Sequence, residues 1–149
     1  MFPPKHHSRA LLILNEVLKS EPNNIPCLVS KAFIFQCDEK WREAGMLWTT
    51  VLKLTPEESE AHLEAQEEQA WCHVRDGHLE EGMEVLQVIK EKYDALEGQE
   101  VKKARVWWRL GKCIWDSGGI YFSTAIFKCV TYCFQNLIGR KLIPILSHR

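Results

Sequence analysis

No strong charge imbalance, no paired-cysteine motif and no glycine-rich phosphate loop marks this sequence, and each lack removes a class of function. The formal net charge is -1 over 149 residues. Domains whose main partner is a phosphate backbone are usually strongly basic, so direct nucleic-acid binding is not predicted. The six cysteines, Cys27, Cys37, Cys72, Cys113, Cys129 and Cys133, include no C-x-x-C pair. The only groupings that resemble ligands or nucleophiles are Cys72-His73 and Cys129-x3-Cys133, whereas a zinc site needs four convergent ligands at tighter spacing. These cysteines read as small hydrophobes in packing positions, in a reducing setting, the cytoplasm with the nucleus as a second option. His6-His7 reads as solvated. No Ser/His/Asp arrangement is present and no secretory pattern opens the chain, so we expect neither an enzyme nor a cofactor. Acidic residues also stop abruptly, with none after Asp116.

What is present is apolar and periodic. Hydrophobic residues make up 46% of the chain and aromatics 10%, enough for one ordinary core and one domain. Two proline stops, "LKSEPNN" and "LKLTPEE", put Pro22 and Pro56 34 residues apart. That spacing is the tetratricopeptide repeat (TPR) period. Between the prolines, Leu28, Ala32 and Phe35 fall on a first helix, and Ala44, Trp48 and Val51 on a second. The TPR pattern asks for this alternation of large and small side chains, and only Lys31 breaks it.

Two helices approach closely only where facing residues lack bulk, and large neighbours then fill the grooves beside them. Ala32 is therefore expected to face Ala44, with Trp48 beside them. In "QAWCHVRDGHLEEGMEVLQVI", Ala70 is expected to pair with Gly82, backed by Leu86 and Ile89, with Asp76-Gly77 as helix stop and turn. In "VWWRLGKCIWDSGG", Trp107, Leu110, Gly111 and Ile114 reproduce W-x2-L-G-x2-large. Gly111 admits a neighbouring helix there, at a cost of roughly 1 kcal/mol in helix propensity.

The predicted fold is all-α, with antiparallel hairpins stacked as a TPR solenoid over residues 1–118. A lone second helix spans about 8–20, full hairpins span 24–54 and 56–95, and a lone first helix spans about 100–117. Between Pro56 and Ala70 the register slips by four residues, close to one turn of about 3.6. Thr55-Pro56-Glu57-Glu58 reads as a capping box, so that helix is predicted to run from Pro56 to about Arg75 and to protrude one turn beyond its neighbours. Gly98 is expected to close the helix before the last one. With nothing polar capping either end, the array looks like an excerpt of a longer solenoid.

The segment "EAHLEAQEEQAWCHVRDGHLEEGMEVLQVIKEKYDALEG", followed by "KKARVWWRLGKCIWDSGG", resembles the TPR scaffold subunits of the superkiller (Ski) complex, over roughly residues 8–118. The resemblance implies a non-catalytic, cytosolic scaffold that organises an RNA helicase and β-propeller subunits for 3′ to 5′ mRNA decay by the exosome. After Gly119 the chain departs from that pattern, and residues 119–149 form a divergent apolar tail. Three readings of the tail stay open. Ser123, Phe127 and Val130 fit a second helix that docks on Gly111. Residues 120–139 reach the length of a membrane span, although Lys128, Gln135 and Asn136 argue against it. The third is translated non-coding sequence.

Function in such an array would reside on its surfaces, since the first helices line the concave groove. Arg105 and Arg109, four apart on one first helix, form a candidate grip for an acidic peptide, against the plainer reading of a solvated charged face. A chaperone-type carboxylate clamp is resembled only in part, because Val29 and Phe33 stand where it needs Lys and Asn. A generic peptide-binding adaptor is thus the alternative to a superkiller scaffold, and a non-functional truncated fragment is the third possibility.

Overall fold

The computed structural model describes residues 4–117. They form six α-helices: α1 (Pro4–Ser20), α2 (Ile25–Cys37), α3 (Trp41–Leu54), α4 (Glu60–Arg75), α5 (Leu79–Asp94) and α6 (Glu100–Asp116). No strand occurs among the described residues. Packing divides the chain into two compact units, one through Val85 and one from Leu86. The expected docking of Ser123, Phe127 and Val130, and the 120–139 span, lie outside the described residues.

Local chemistry accounts for the helix ends. Asn24 caps α2, its side-chain oxygen accepting the Cys27 amide at 3.1 Å, and Pro26 occupies the first turn, where no intrahelical donor is lost. α4 ends on Asp76 with a Schellman motif: Gly77 donates its N–H to the Val74 carbonyl and His78 donates to that of His73. Gly77 adopts φ +99°, the left-handed conformation the motif requires. α2 ends in the same way, with Glu39 and Lys40 donating to Gln36 and Phe35. There the left-handed position, φ 58°, is held by Glu39 rather than glycine.

Two predicted boundaries are corrected. Thr55-Pro56 does not open α4. The Thr55 hydroxyl donates back to the Val51 carbonyl at 3.0 Å and meets His62 Nδ1 at 3.1 Å, so it serves the end of α3. Ser59 is the cap instead, accepting the His62 amide at 3.1 Å. α4 therefore has 16 residues to the 13 of α2. Three of the four slipped residues lengthen the helix and the fourth extends the connection before it. Gly98 does not close α5, which stops at Asp94; its φ of +76° belongs to the loop beyond.

In the first unit, Leu28, Ala32, Ala44, Trp48, Val51, Ala65 and Cys72 form one buried cluster, with Ala32 and Ala44 both fully buried. Phe33 meets the Trp48 ring edge-on at 5.2 Å between centroids. Lys31, the residue that breaks the repeat pattern, extends its ammonium over Phe35, 5.7 Å from the ring centre. α3 and α4 run antiparallel and are joined by three polar rungs about two turns apart. Thr55 meets His62 at 3.1 Å, Thr49 accepts from Gln69 at 2.7 Å and Arg42 donates to Asp76 at 3.4 Å. Gly45 lies between the last two, and a Cβ there would rest 3.6 Å from that of Cys72.

In the second unit, Leu86, Ile89, Tyr93, Val106 and Cys113 are fully or almost fully buried, and Leu110 is buried. Lys90 seats its ammonium 4.7 Å from the centre of the Trp107 ring and reaches Asp94 at 3.1 Å, tying α5 to α6. The Lys90 side chain is itself largely covered, so its stem packs while its charge has two partners.

Candidate interaction surfaces

The packing positions read from the sequence are buried almost without exception. Ala32, Ala44, Trp48, Ala70, Leu86, Leu110, Gly82 and Gly111 are buried, and Trp107 is half-buried beneath Lys90. At Ala70 and Gly82 the approach is close enough that a methyl group on Gly82 would collide with the Val74 side chain and stand 2.8 Å from the Ala70 carbonyl oxygen. Of the cysteines, Cys72 and Cys113 are buried, Cys27 is half-buried and Cys37 is exposed. Burial, with a smaller contribution from Asp116, pushes the Cys113 thiol up to about 11. A thiol so protonated at neutral pH is a packing group and a poor nucleophile.

Arg105 and Arg109 do not form the open pair expected of a carboxylate grip. Arg109 is only 7% exposed and Arg105 is half-buried, and both hold interactions within the protein. Burial of the second guanidinium takes away half of the clamp. Phe33 remains 45% exposed on α2, and Val29 is half-buried against the core cluster.

Two surface features were not anticipated. On α6, Val101, Trp108 and Trp115 recur every seven residues and are all more than half exposed. Arg105 and Lys112 lie between them on the same helix, the latter paired with Asp116. Exposed tryptophans flanked by cations form an amphipathic face suited to a partner with apolar and acidic groups. The seven-residue spacing is visible in the sequence, but the adjacent Trp107 belongs to the repeat pattern and draws its neighbours into the same packing interpretation.

The second feature, in the first unit, is a cleft of about 210 Å³. Trp41, Arg42 and Met46 of α3 border it, facing His73 in the last turn of α4 and Asp76 and His78 at the turn between α4 and α5. Asp76 lies 3.4 Å from Arg42 and 4.0 Å from His78, and the Arg75 guanidinium stacks over Trp41 at 5.1 Å. Among the described residues no group of three or more His, Cys, Asp or Glu could hold a metal ion, and no helix is long and apolar enough to cross a membrane.

Helix hairpins with small residues at their close approaches make this a TPR-like repeat fold, and known proteins agree. Two crystal structures of nearly identical TPR-like repeats from a Podosopora anserina kinesin light chain superpose with TM-scores of 0.69 and 0.66, at 14% and 15% identity. They cover 88% and 87% of this chain and 68% of each of those chains. In sequence the chain is similar to Superkiller protein 3 of Saccharomyces cerevisiae, with 26% identity over 110 residues. The match takes in 73% of this chain and 7% of that protein, so the chain spans a small fraction of its relative's length. No protein-family model matches the chain.

Proposed function

We propose that this chain is a non-catalytic TPR scaffold that mediates protein–protein interactions in a superkiller-type assembly, supporting exosome-dependent 3′ to 5′ mRNA decay in the cytoplasm. The observation that carries this reading is the 26% identity to Superkiller protein 3 along 110 residues, on a TPR-like fold. On its sequence pattern we assign the array to residues 1–118 and a divergent apolar tail to 119–149. The partners would be an RNA helicase and β-propeller subunits, and RNA would be contacted through them. The Val101–Trp108–Trp115 face of α6 is the surface on which we expect a partner to dock, because it exposes a large aromatic and apolar area.

The exposed tryptophans of α6 also favour a second reading, a TPR adaptor for peptides that carry apolar and acidic groups. Co-precipitation of the full chain with superkiller helicase and propeller subunits, run beside capture of an acidic C-terminal peptide, separates the two. Retention of the helicase or a propeller subunit, reduced at least about tenfold by Trp108→Ala with Trp115→Ala, supports the scaffold. Retention of the peptide alone supports the adaptor, and retention of neither overturns both.

A further inference from the structure

The outer face of α1 carries a pattern that is complementary to itself. No described side chain of α1 is fully buried, and Leu12 and Ile13 are 68% and 59% exposed at its middle. Arg9 and Glu16 are also exposed, and on a helical wheel they lie between Leu12 and Ile13 on the same face. Arg9 and Glu16 stand at equal distances, about 5 Å along the axis, on either side of the midpoint between Leu12 and Ile13.

That symmetry has a geometric consequence. When two copies of α1 lie antiparallel about a two-fold axis through the midpoint, Leu12 meets Leu12 and Ile13 meets Ile13 of the second copy. Each Arg9 comes level with Glu16 of the other chain, so an apolar centre is flanked by two identical ion pairs. The residue order then meets the requirement of an isologous interface, in which one patch is its own complement. Glu16 already accepts from Lys19 at 2.6 Å on the open surface, and its second oxygen leaves capacity for a guanidinium.

We propose that α1 is a self-association surface and that its occupant is α1 of a second copy of this chain. A single pair of helices buries less than the roughly 1,200 Å² of a standard interface, so the dimer belongs among weak ones, with a micromolar dissociation constant. Its strength comes from the central leucine and isoleucine, and its register from the ion pairs.

Sedimentation equilibrium of the full chain up to about 100 µM, a range that brackets such affinities, tests the proposal. We expect a monomer–dimer equilibrium that Arg9→Glu weakens at least about tenfold by placing like charges opposite each other. Arg9→Glu combined with Glu16→Arg should restore the wild-type constant, because the exchange regenerates both pairs. Leu12→Glu with Ile13→Lys should leave only monomer. All four positions are exposed, and circular dichroism of each variant checks that the helices persist. A wild-type chain that stays monomeric throughout, as it would if a different segment covers α1, overturns the proposal. So does a dimer indifferent to Arg9→Glu, or one that the double exchange fails to restore.

Discussion

A Cβ on Gly82 would stand 2.8 Å from the carbonyl oxygen of Ala70 and 3.1 Å from the Val74 amide nitrogen. Both are backbone atoms of the facing helix, so relief requires the helices to separate. Gly82→Ala should therefore destabilise the protein by about 2 kcal/mol, although alanine is the better helix former by about 1 kcal/mol. Gly45 provides the contrast. A Cβ there meets Cys72 at 3.6 Å, an ordinary contact, and Gly45→Ala should stabilise by about 0.5–1 kcal/mol. Urea unfolding of the two variants checks the opposite signs. Equal losses at both sites would mean that the α3–α4 spacing is as tight as that between Ala70 and Gly82.

Glu39 and Gly77 occupy equivalent positions in two Schellman motifs, with φ of 58° and +99°. A side chain in the left-handed region costs roughly 1–2 kcal/mol from contact between Cβ and the backbone, and glycine avoids this at the expense of a more flexible unfolded chain. Glu39→Gly should accordingly raise stability by about 0.5–1 kcal/mol. Gly77→Ala should lower it by about 1 kcal/mol. Nothing lies within 4 Å of the position a Cβ would take at Gly77, so the loss there would be one of backbone conformation alone. Thermal melts of both variants measure it.

These positions also indicate how much of the molecule was legible in the sequence. The small residues at 32, 44, 70 and 82 disclosed the hairpins because close helix approach excludes bulk, a constraint that acts residue by residue. Asp76-Gly77 disclosed a turn because glycine is favoured at positive φ. The matching turn at Glu39 carried no such mark, since its left-handed residue is one that sequence patterns assign to helices. Arg109 could not be recognised as buried, because its surroundings are set by tertiary packing rather than by its spacing from Arg105. The polar rungs between α3 and α4 were hidden for the same reason: each joins residues that are neighbours only once the hairpins have stacked.

The start of α4 gives a third test. Ser59 accepts the His62 amide while its own hydroxyl donates to the Pro56 carbonyl at 2.7 Å, so one side chain both caps the helix and closes the preceding turn. Ser59→Ala should cost about 1 kcal/mol, as expected for loss of a cap. Glu57→Ala, in the exposed turn whose sequence resembles a capping box, should change stability by less than about 0.5 kcal/mol. Chemical denaturation distinguishes the two starts, since a helix beginning at Pro56 would reverse the order.

The Cys113 thiol offers a prediction in pH. Its pKa rises from 9.0 to about 11 in the folded protein, first because burial disfavours the thiolate and second because Asp116 repels it. Between these values the unfolded chain releases a proton that the folded chain retains, so stability falls as pH rises from about 9 and levels off above about 11. The loss should be at most about 3 kcal/mol, and it is superimposed on the titration of lysines and tyrosines. Comparison with Cys113→Ala isolates it: that variant begins less stable, because a buried sulfur is removed, but should show a shallower decline over this interval. Thiol labelling supplies a second measurement. Exposed Cys37 should react with a disulfide reagent at neutral pH well before Cys113, whose reaction should track unfolding. Parallel pH profiles for the two proteins, or rapid labelling of Cys113 in the folded state, would show that its side chain reaches water and that α6 is less firmly packed at that point than its full burial implies.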